Sequence, residues 1–301
     1  MLVLGLTGLT SWLVLHQSEP VYQGKTLSDW VLAMHKGKAP ERERARVAVH
    51  HLGSNSIPVL LKWLQQPDRP SLRSRFSQAK LGAIHWLEGH RLLTPRPWSF
   101  EMDWKGSYRS LAIEAFSELG PEAKAAIPEL IQSLGDRAGT PTEPSDRAGF
   151  AYVVLRKLAP ACIPGLIEAL SSPDAQVWAL AAGVLADIGP EANAAIPALR
   201  PRLADPDPLM RLEAADALGK LGGDPGEFMP VVVATLREPN LESLDEKLEV
   251  LLRYKDHAQP AVPLLRELLA KLQDTGGAAS RDARYMLTNA LGQLSPKAPV
   301  P

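Results

Sequence analysis

The sequence predicts an all-α protein built as a solenoid, in which short helix pairs stack side by side. An apolar residue followed by proline recurs every 33 residues, at Ile163-Pro164, Ile196-Pro197, Met229-Pro230 and Val262-Pro263. Earlier copies stand at Ile57-Pro58 and Ile127-Pro128. The apolar positions that follow these dipeptides fall on one helical stripe. A repeat of this length is typical of stacked helix pairs, because one pair alone cannot bury its apolar face.

The first 16 residues carry no acidic side chain, lysine or arginine, and 15 of them form the apolar run MLVLGLTGLTSWLVL. As a helix this run would span about 22 Å, less than the roughly 30 Å hydrocarbon layer of a bilayer. We expect residues 1–16 to be a membrane anchor or a signal segment, with a docked terminal helix as the alternative. Residues 17–301 then form the solenoid of about seven helical repeats.

The stretch VYQGKTLSDW contains Gly24-Lys25-Thr26, which matches the end of a phosphate-binding loop. The motif lacks its first glycine, since Glu19 stands at that position and would repel a phosphate. Thr26 followed by Asp29 instead matches a capping box with Asp in place of Glu. Apolar residues then recur at helical spacing, so we expect a helix to begin after Thr26. They are Leu27, Trp30, Val31 and Met34.

Each later repeat is predicted to contain a first helix, a turn and a second helix. Asp174 and Asp207 are expected to cap first helices. Gly120, Gly189 and Gly222 are expected to end them, because a residue without Cβ adopts the left-handed conformation that closes a helix. The proline of each dipeptide belongs to the first turn of the second helix, where its missing N–H costs nothing.

The second helices have an inward stripe and an outward row. Counting the residue before proline as zero, offsets 0, +3 and +7 form the apolar stripe. Its members are Ile57, Leu60, Leu64, Ile127, Leu130, Leu134, Ile163, Leu166, Leu170, Ile196, Leu199 and Leu203. Offsets +2, +5 and +6 point away from it. They define the outward row, which comprises Val59, Lys62, Trp63, Glu129, Gln132, Glu168, Arg202 and Glu267.

Two stretches interrupt the repeat, at 67–106 and at 136–146. The first contains Trp98 and Trp104 in RLLTPRPWSFEMDWKG, without the usual start of a second helix. The second, 136–146, is polar. Loops that break a regular scaffold often carry function, so each is either a tolerated insertion or part of a binding surface.

The segments ALGKLG, LGPEAKAAIPEL and IGPEANAAIPAL resemble the HEAT-repeat family of the short bacterial type, over about residues 107–295. Arg109, Arg211 and Arg284 occupy matching positions in it, and Trp178 replaces the arginine in one repeat. The resemblance implies a right-handed α-α superhelix whose second helices line the concave side. Tyr22, Gly24-Lys25, Leu27-Ser28 and Trp30 also resemble a segment of bacterial proteins that carry such repeats behind a hydrophobic N-terminus.

Residues able to perform catalysis are sparse. His85, Glu88 and His90 do not converge cleanly on one helix face, and His50-His51 face different ways, so we expect no metal site. The single cysteine, Cys162, lies in an apolar helix and is expected in the core. Carboxylates are spread over helix faces that we expect to be solvated. We therefore expect no enzymatic activity, no cofactor and no small-molecule substrate.

Charge is distributed unevenly, with a net of +8 over residues 21–110 and −8 over residues 111–301. Six arginines of the basic part could contact phosphates, as in the HEAT-like DNA-repair glycosylases. They are Arg42, Arg44, Arg46, Arg69, Arg73 and Arg75. The acidic remainder and an exported N-terminus argue against nucleic acid.

The sequence favours a protein-binding scaffold that is held at a membrane with its solenoid outside the cytoplasm. We expect a protein partner to contact the outward row together with Trp98 and Trp104, because aromatic and arginine anchors carry most interface energy. The alternative enzyme is a bilin lyase, since HEAT-like proteins include lyases that attach tetrapyrroles to phycobiliproteins. Those lyases are cytosolic, which the apolar N-terminus opposes.

Overall fold

The structure is a computed structural model that describes residues 19–65, 108–136, 146–237, 243–273 and 278–294. Within these residues the chain is helical, apart from one two-stranded hairpin. It divides into two compact units, Met1–Ala126 and Ile127–Pro301. The prediction of an all-α protein is confirmed, with this hairpin as an addition.

The hairpin joins β1 (Val21–Tyr22) to β2 (Lys25–Thr26) through a two-residue turn. Gln23 and Gly24 have φ of 49° and 76°, as such a tight hairpin turn requires. Gly24 therefore serves the turn of a hairpin and not a phosphate-binding loop. No strand is predicted from the sequence, because each strand has two residues and shows no alternating pattern.

Helix α1 (Leu27–Lys36) begins with the predicted capping box. The Thr26 hydroxyl accepts a hydrogen bond from the Asp29 N–H, and the Asp29 carboxylate accepts one from the Thr26 N–H at 3.1 Å. The Thr26 hydroxyl also donates to this carboxylate at 2.8 Å, and these bonds lower the pKa of Asp29. All four apolar residues that predicted the helix are buried.

The residues of the N-terminal resemblance hold the hairpin against the first two helices. Trp30 Nε1 donates a hydrogen bond to the Tyr22 carbonyl at 3.0 Å. The Lys25 ammonium lies 4.7 Å from the centre of the Trp30 ring, which is a cation–π contact. The Tyr22 ring lies 4.2 Å from the ring of His51. These three contacts give the motif a structural role.

The first unit continues with α2 (Ala39–Leu52), α3 (Ile57–Gln65) and α4 (Tyr108–Leu119). Helix α4 packs against α1, α2 and α3. Short 3-10 turns at Gly53–Ser56 and Gly120–Ala126 follow α2 and α4. The Phe116 side chain on α4 is fully buried.

The second unit alternates between second helices and first helices. Its second helices are α5 (Ile127–Ser133), α7 (Ile163–Ala169), α9 (Ile196–Leu199), α11 (Pro225–Thr235) and α13 (Val262–Gln273). Its first helices are α6 (Asp146–Lys157), α8 (Ala175–Ile188), α10 (Pro208–Lys220), α12 (Leu244–Arg253) and α14 (Ala278–Leu294). The 3-10 segments are Gly189–Ala195, Arg200–Ala204, Lys255–His257 and Gln259–Ala261. Neighbouring first helices α6, α8 and α10 pack on one another in turn.

The predicted inward stripe forms the core beneath the second helices. Ten of its twelve residues are buried, while Ile196 and Leu203 are half-buried. The predicted caps are also present, since Asp174 accepts from the Gln176 N–H and Asp207 from the Leu209 N–H, both at 2.9 Å. The apolar spacing and the capping residues therefore predicted the helix positions correctly.

Met229-Pro230 is an exception, and the prediction that its proline begins a helix is wrong. Helix α11 begins at Pro225, so Pro230 lies inside it. Asp224 accepts a hydrogen bond from the Gly226 N–H at 2.9 Å and caps the helix. This Asp-Pro pair starts the helix before the recurring dipeptide is reached.

Some predictions fall outside the described residues. These include the segment 1–16, the whole stretch 67–106, and most of 136–146. Within the part of the chain that the structure describes, no helix combines the length and apolar character needed to cross a bilayer.

Gly189 and Gly149 form a matched pair for testing the helix boundaries. Gly189 ends α8 with φ of 80°, whereas Gly149 lies within α6 and has open space where a Cβ would stand. Gly189→Ala should lower the free energy of unfolding by about 1–2 kcal/mol, because left-handed backbone strains an L-residue. Gly149→Ala should raise it by up to about 1 kcal/mol through helix propensity. Urea unfolding measures both, and equal effects would contradict the assigned helix boundaries.

Candidate partner-binding surface

The outward row of the second unit is accessible on three second helices. Gln132 on α5, Glu168 on α7 and Glu267 on α13 are exposed, while Glu129 is half-buried. Glu267 forms an ion pair with Lys271 at 2.8 Å, and this hydrogen bond lowers the pKa of its carboxyl. The helical offsets therefore predicted correctly that these side chains point away from the core.

Arg202 has contacts within the chain. It lies in the 3-10 segment Arg200–Ala204 and donates to the Asp205 carboxylate at 2.6 Å. Its guanidinium also stands 5.2 Å from the centre of the buried Trp178 ring. The pKa of Asp205 is lowered, first by the Asp207 N–H and then by Arg202. Arg202 is half-buried and would have to break these contacts to bind a partner through its charge.

Trp63 does not have the exposed position that the sequence predicts. Its side chain is 3% exposed, and its ring lies 5.4 Å from the Tyr108 ring of α4. Helix α4 packs on α3, so an offset that points away from the stripe is buried by a second neighbour. Trp63 is therefore a core residue, whereas Val59 and Lys62 are half-buried. Trp98 and Trp104 lie outside the described residues.

A polar cavity of about 690 Å³ adjoins the outward row at α5. Its lining includes Glu129, Gln132, Ser133, Gly135, Asp136 and Arg147. The Arg147 Nε is buried without a hydrogen-bond partner among the described residues. Asp136 and Arg147 are absent from the predicted surface. The sequence signal for them was the polar interruption at 136–146, which they border.

A second cavity, of about 270 Å³, lies on the first-helix side of the second unit. We call it the first-helix groove, and its charged lining residues are Asp187, Glu213, Asp216, Lys220, Glu246 and Glu249. Burial, reinforced by Glu246 and Asp216, raises the pKa of Glu213 to about 7. The expectation that the carboxylates are merely solvated is thus wrong for Glu213, which is half-buried. Sequence spacing places Glu213 with Asp216, and Glu246 with Glu249, on one face of each helix.

Residues with metal-binding or nucleophilic chemistry are engaged elsewhere or buried. Within the described ranges, no three His, Cys, Asp or Glu side chains are grouped to hold a metal. Cys162 is fully buried, its thiol donates to the Leu155 carbonyl at 3.1 Å, and burial raises its pKa to about 11. His50 contacts Glu122 at 3.1 Å and Glu118 at 3.4 Å.

Part of the basic surface is matched by carboxylates. Arg46 lies 3.5 Å from Glu118, whereas Arg42 and Arg44 are exposed on α2. The other three arginines considered for phosphate contact, at 69, 73 and 75, lie outside the described residues, as do His85, Glu88 and His90.

Comparison with known proteins identifies the repeat. Residues 163–243 match the family model for HEAT repeats. No curated protein matches the chain. Among solved structures, the crystal structure of an engineered protein has 16% sequence identity over 89% of this chain and 96% of its own, with a TM-score of 0.24. The match over residues 163–243 agrees with the HEAT-repeat resemblance of the sequence motifs.

Proposed function

We propose that the protein is a non-enzymatic scaffold that binds a protein partner along the outward row of its second helices. HEAT repeats generally mediate protein binding, and residues 163–243 match them. The observation that supports this surface best is the exposure of Gln132, Glu168 and Glu267 on three second helices of one unit. The polar cavity beside Gln132 adds a recess that a partner side chain can enter.

Such a surface suits binding because its helices are already packed. Their apolar stripe is buried, so the outward side chains are presented by an ordered backbone. Association then loses less conformational entropy than it would with a flexible segment. We infer that the second unit follows the right-handed superhelix of the family, with the outward row on its concave side.

The charge of the row defines the chemistry of the partner. Glu129, Glu168 and Glu267 are acidic, and residues 111–301 carry a net charge of −8. We infer that the partner presents a basic surface, because complementary charge speeds encounter and selects orientation. Binding should then weaken as salt concentration rises.

Charge reversal on α7 tests this proposal. Glu168→Arg should reduce the partner captured by the tagged full-length protein about tenfold, equivalent to roughly 1.4 kcal/mol, because a repulsive charge replaces an attractive one. Glu191→Arg is the matched control, since Glu191 is exposed but lies in the turn after α8. Quantitative mass spectrometry of the co-purified proteins measures both variants. Equal recovery from the two variants would contradict the proposed surface.

We propose in addition that residues 1–16 attach the protein to a membrane, with the repeats outside the cytoplasm. The apolar run in this segment supports attachment. Fractionation of cells that express the full-length chain should place it with the membranes. Recovery in the soluble cytosol would overturn this location and would favour the bilin-lyase or nucleic-acid alternatives.

A further inference from the structure

The first-helix groove lies where α10 and α12 approach one another. Helix α10 packs on α8 and α11, while α12 packs on α11 and α14. Between these helices the cavity of about 270 Å³ receives Glu213 and Asp216 from α10 and Glu246 and Glu249 from α12. Carboxylates of two helices therefore face the same small space.

Three of the groove's carboxylates have cationic partners. Asp187 accepts from Arg156 at 3.1 Å and from the Tyr152 hydroxyl at 2.9 Å. Asp216 pairs with Lys220 at 2.7 Å and also with Arg253. Arg253 further contacts Glu249 at 2.6 Å. Arg156, Lys220 and Arg253 are thus already paired.

Glu213 and Glu246 differ from these three carboxylates. Neither forms an ion pair with another residue in the described part of the chain. Glu213 is half-buried, and no residue of α11 lines the cavity to supply a counter-charge. Two ionised carboxylates in such a partly desolvated space repel each other, since water screens them poorly.

We propose that this groove is a pH-sensitive joint, in which α12 stays beside α10 while Glu213 holds a proton and moves away when Glu213 ionises beside Glu246. Proton linkage gives the sign of the pH dependence of the groove's stability. Burial raises the pKa of Glu213 from 4.5 to about 7, so the folded groove binds this proton more tightly than the unfolded chain does. The stabilisation is fully present below about pH 4.5 and is lost as the pH rises through about 7. Burial and neighbouring carboxylates also raise the pKa of Glu246.

Amide hydrogen exchange of the full-length protein at pH 5.5 and pH 8 tests the joint. After correction for intrinsic exchange rates, protection of α12 should fall about tenfold at the higher pH, because one proton is released over this range. Glu213→Gln keeps the side-chain shape but cannot ionise, so protection of α12 should become independent of pH. Glu246→Gln should leave a smaller pH dependence with a lower midpoint pH for loosening, because the Glu246 charge is one cause of the raised pKa of Glu213.

Glu191→Gln is the matched control, because Glu191 is exposed in the turn after α8 and does not line the groove. This variant should retain the full pH dependence of α12 protection. The joint is overturned if the unmodified protein shows equal protection at both pH values, or if Glu213→Gln retains the pH dependence. Should Glu213→Gln fail to fold, an unchanged pH response in Glu246→Gln overturns it equally. Partner capture does not enter this measurement, so its outcome is distinguishable from that of the proposed function.

Discussion

Trp178→Ala is expected to lower the free energy of unfolding by about 3–5 kcal/mol, as large aromatic truncations in cores do. Trp178 is 0% exposed and is the largest of the fully buried side chains on the described residues. It lies on α8, which packs against α6, α7 and α10. Removal of the indole therefore leaves a cavity where several helices meet, and these helices can close it only partly.

Trp178→Phe separates packing from hydrogen bonding at this site. The Trp178 Nε1 is buried without a hydrogen-bond partner among the described residues, so phenylalanine loses packing volume alone. We expect a loss of about 1–2 kcal/mol, clearly below that of alanine. Urea unfolding followed by circular dichroism measures both variants. A loss below about 1 kcal/mol for alanine would show that the indole is not packed in the core.

Phe228→Ala is the second substitution with a large expected effect, again about 3–5 kcal/mol. The Phe228 side chain on α11 is 0% exposed. Its ring meets the Tyr254 ring edge-on, with the ring centres 5.1 Å apart. Tyr254 in turn lies against Gly219 of α10, where a Cβ would collide with the tyrosine ring. Phe228 on α11 thus holds the Tyr254 ring in place, and Tyr254 in turn contacts α10.

A double-mutant cycle isolates the aromatic pair from the general loss of burial. Phe228→Ala, Tyr254→Ala and the double variant should give a coupling energy of about 0.5–1.5 kcal/mol. Phe228→Leu is the control for apolar volume and should cost less than alanine. Additive effects of the two alanine substitutions would contradict a direct ring contact.

The helix pairs were predictable because their signals are local. Thr26, Asp174 and Asp207 cap helices through hydrogen bonds to residues two or three positions away. Gly189 and Gly222 end helices through their own left-handed backbone. The inward stripe follows from helical spacing alone, so a repeat in the sequence became a repeat in the structure.

The errors arise where a neighbouring element outweighs the local pattern. Trp63 points away from its stripe but is covered by α4, which lies far from it in sequence. Pro230 belongs to the recurring dipeptide Met229-Pro230, yet the Asp224-Pro225 pair starts the helix earlier. A single amphipathic pattern cannot show that a helix is covered on two faces.

The candidate surface was predictable in part for the same reason. The exposure of Gln132, Glu168 and Glu267 follows from their helical offsets. The polar cavity with Asp136 and Arg147, and the groove around Glu213, depend on the spacing between helices. Helix-to-helix spacing is set by the packed side chains of both partners, and periodicity in one helix does not report it.

Site-specific photo-crosslinking in cells tests the central claim of a protein-binding scaffold most directly. A photoreactive amino acid is placed at Gln132, at Glu168 and, as the control, at Glu191 of the full-length protein. We predict that Gln132 and Glu168 form adducts with the same protein and that Glu191 does not. The claim would be contradicted if neither Gln132 nor Glu168 formed adducts. It would also be contradicted if Glu191 formed them equally strongly.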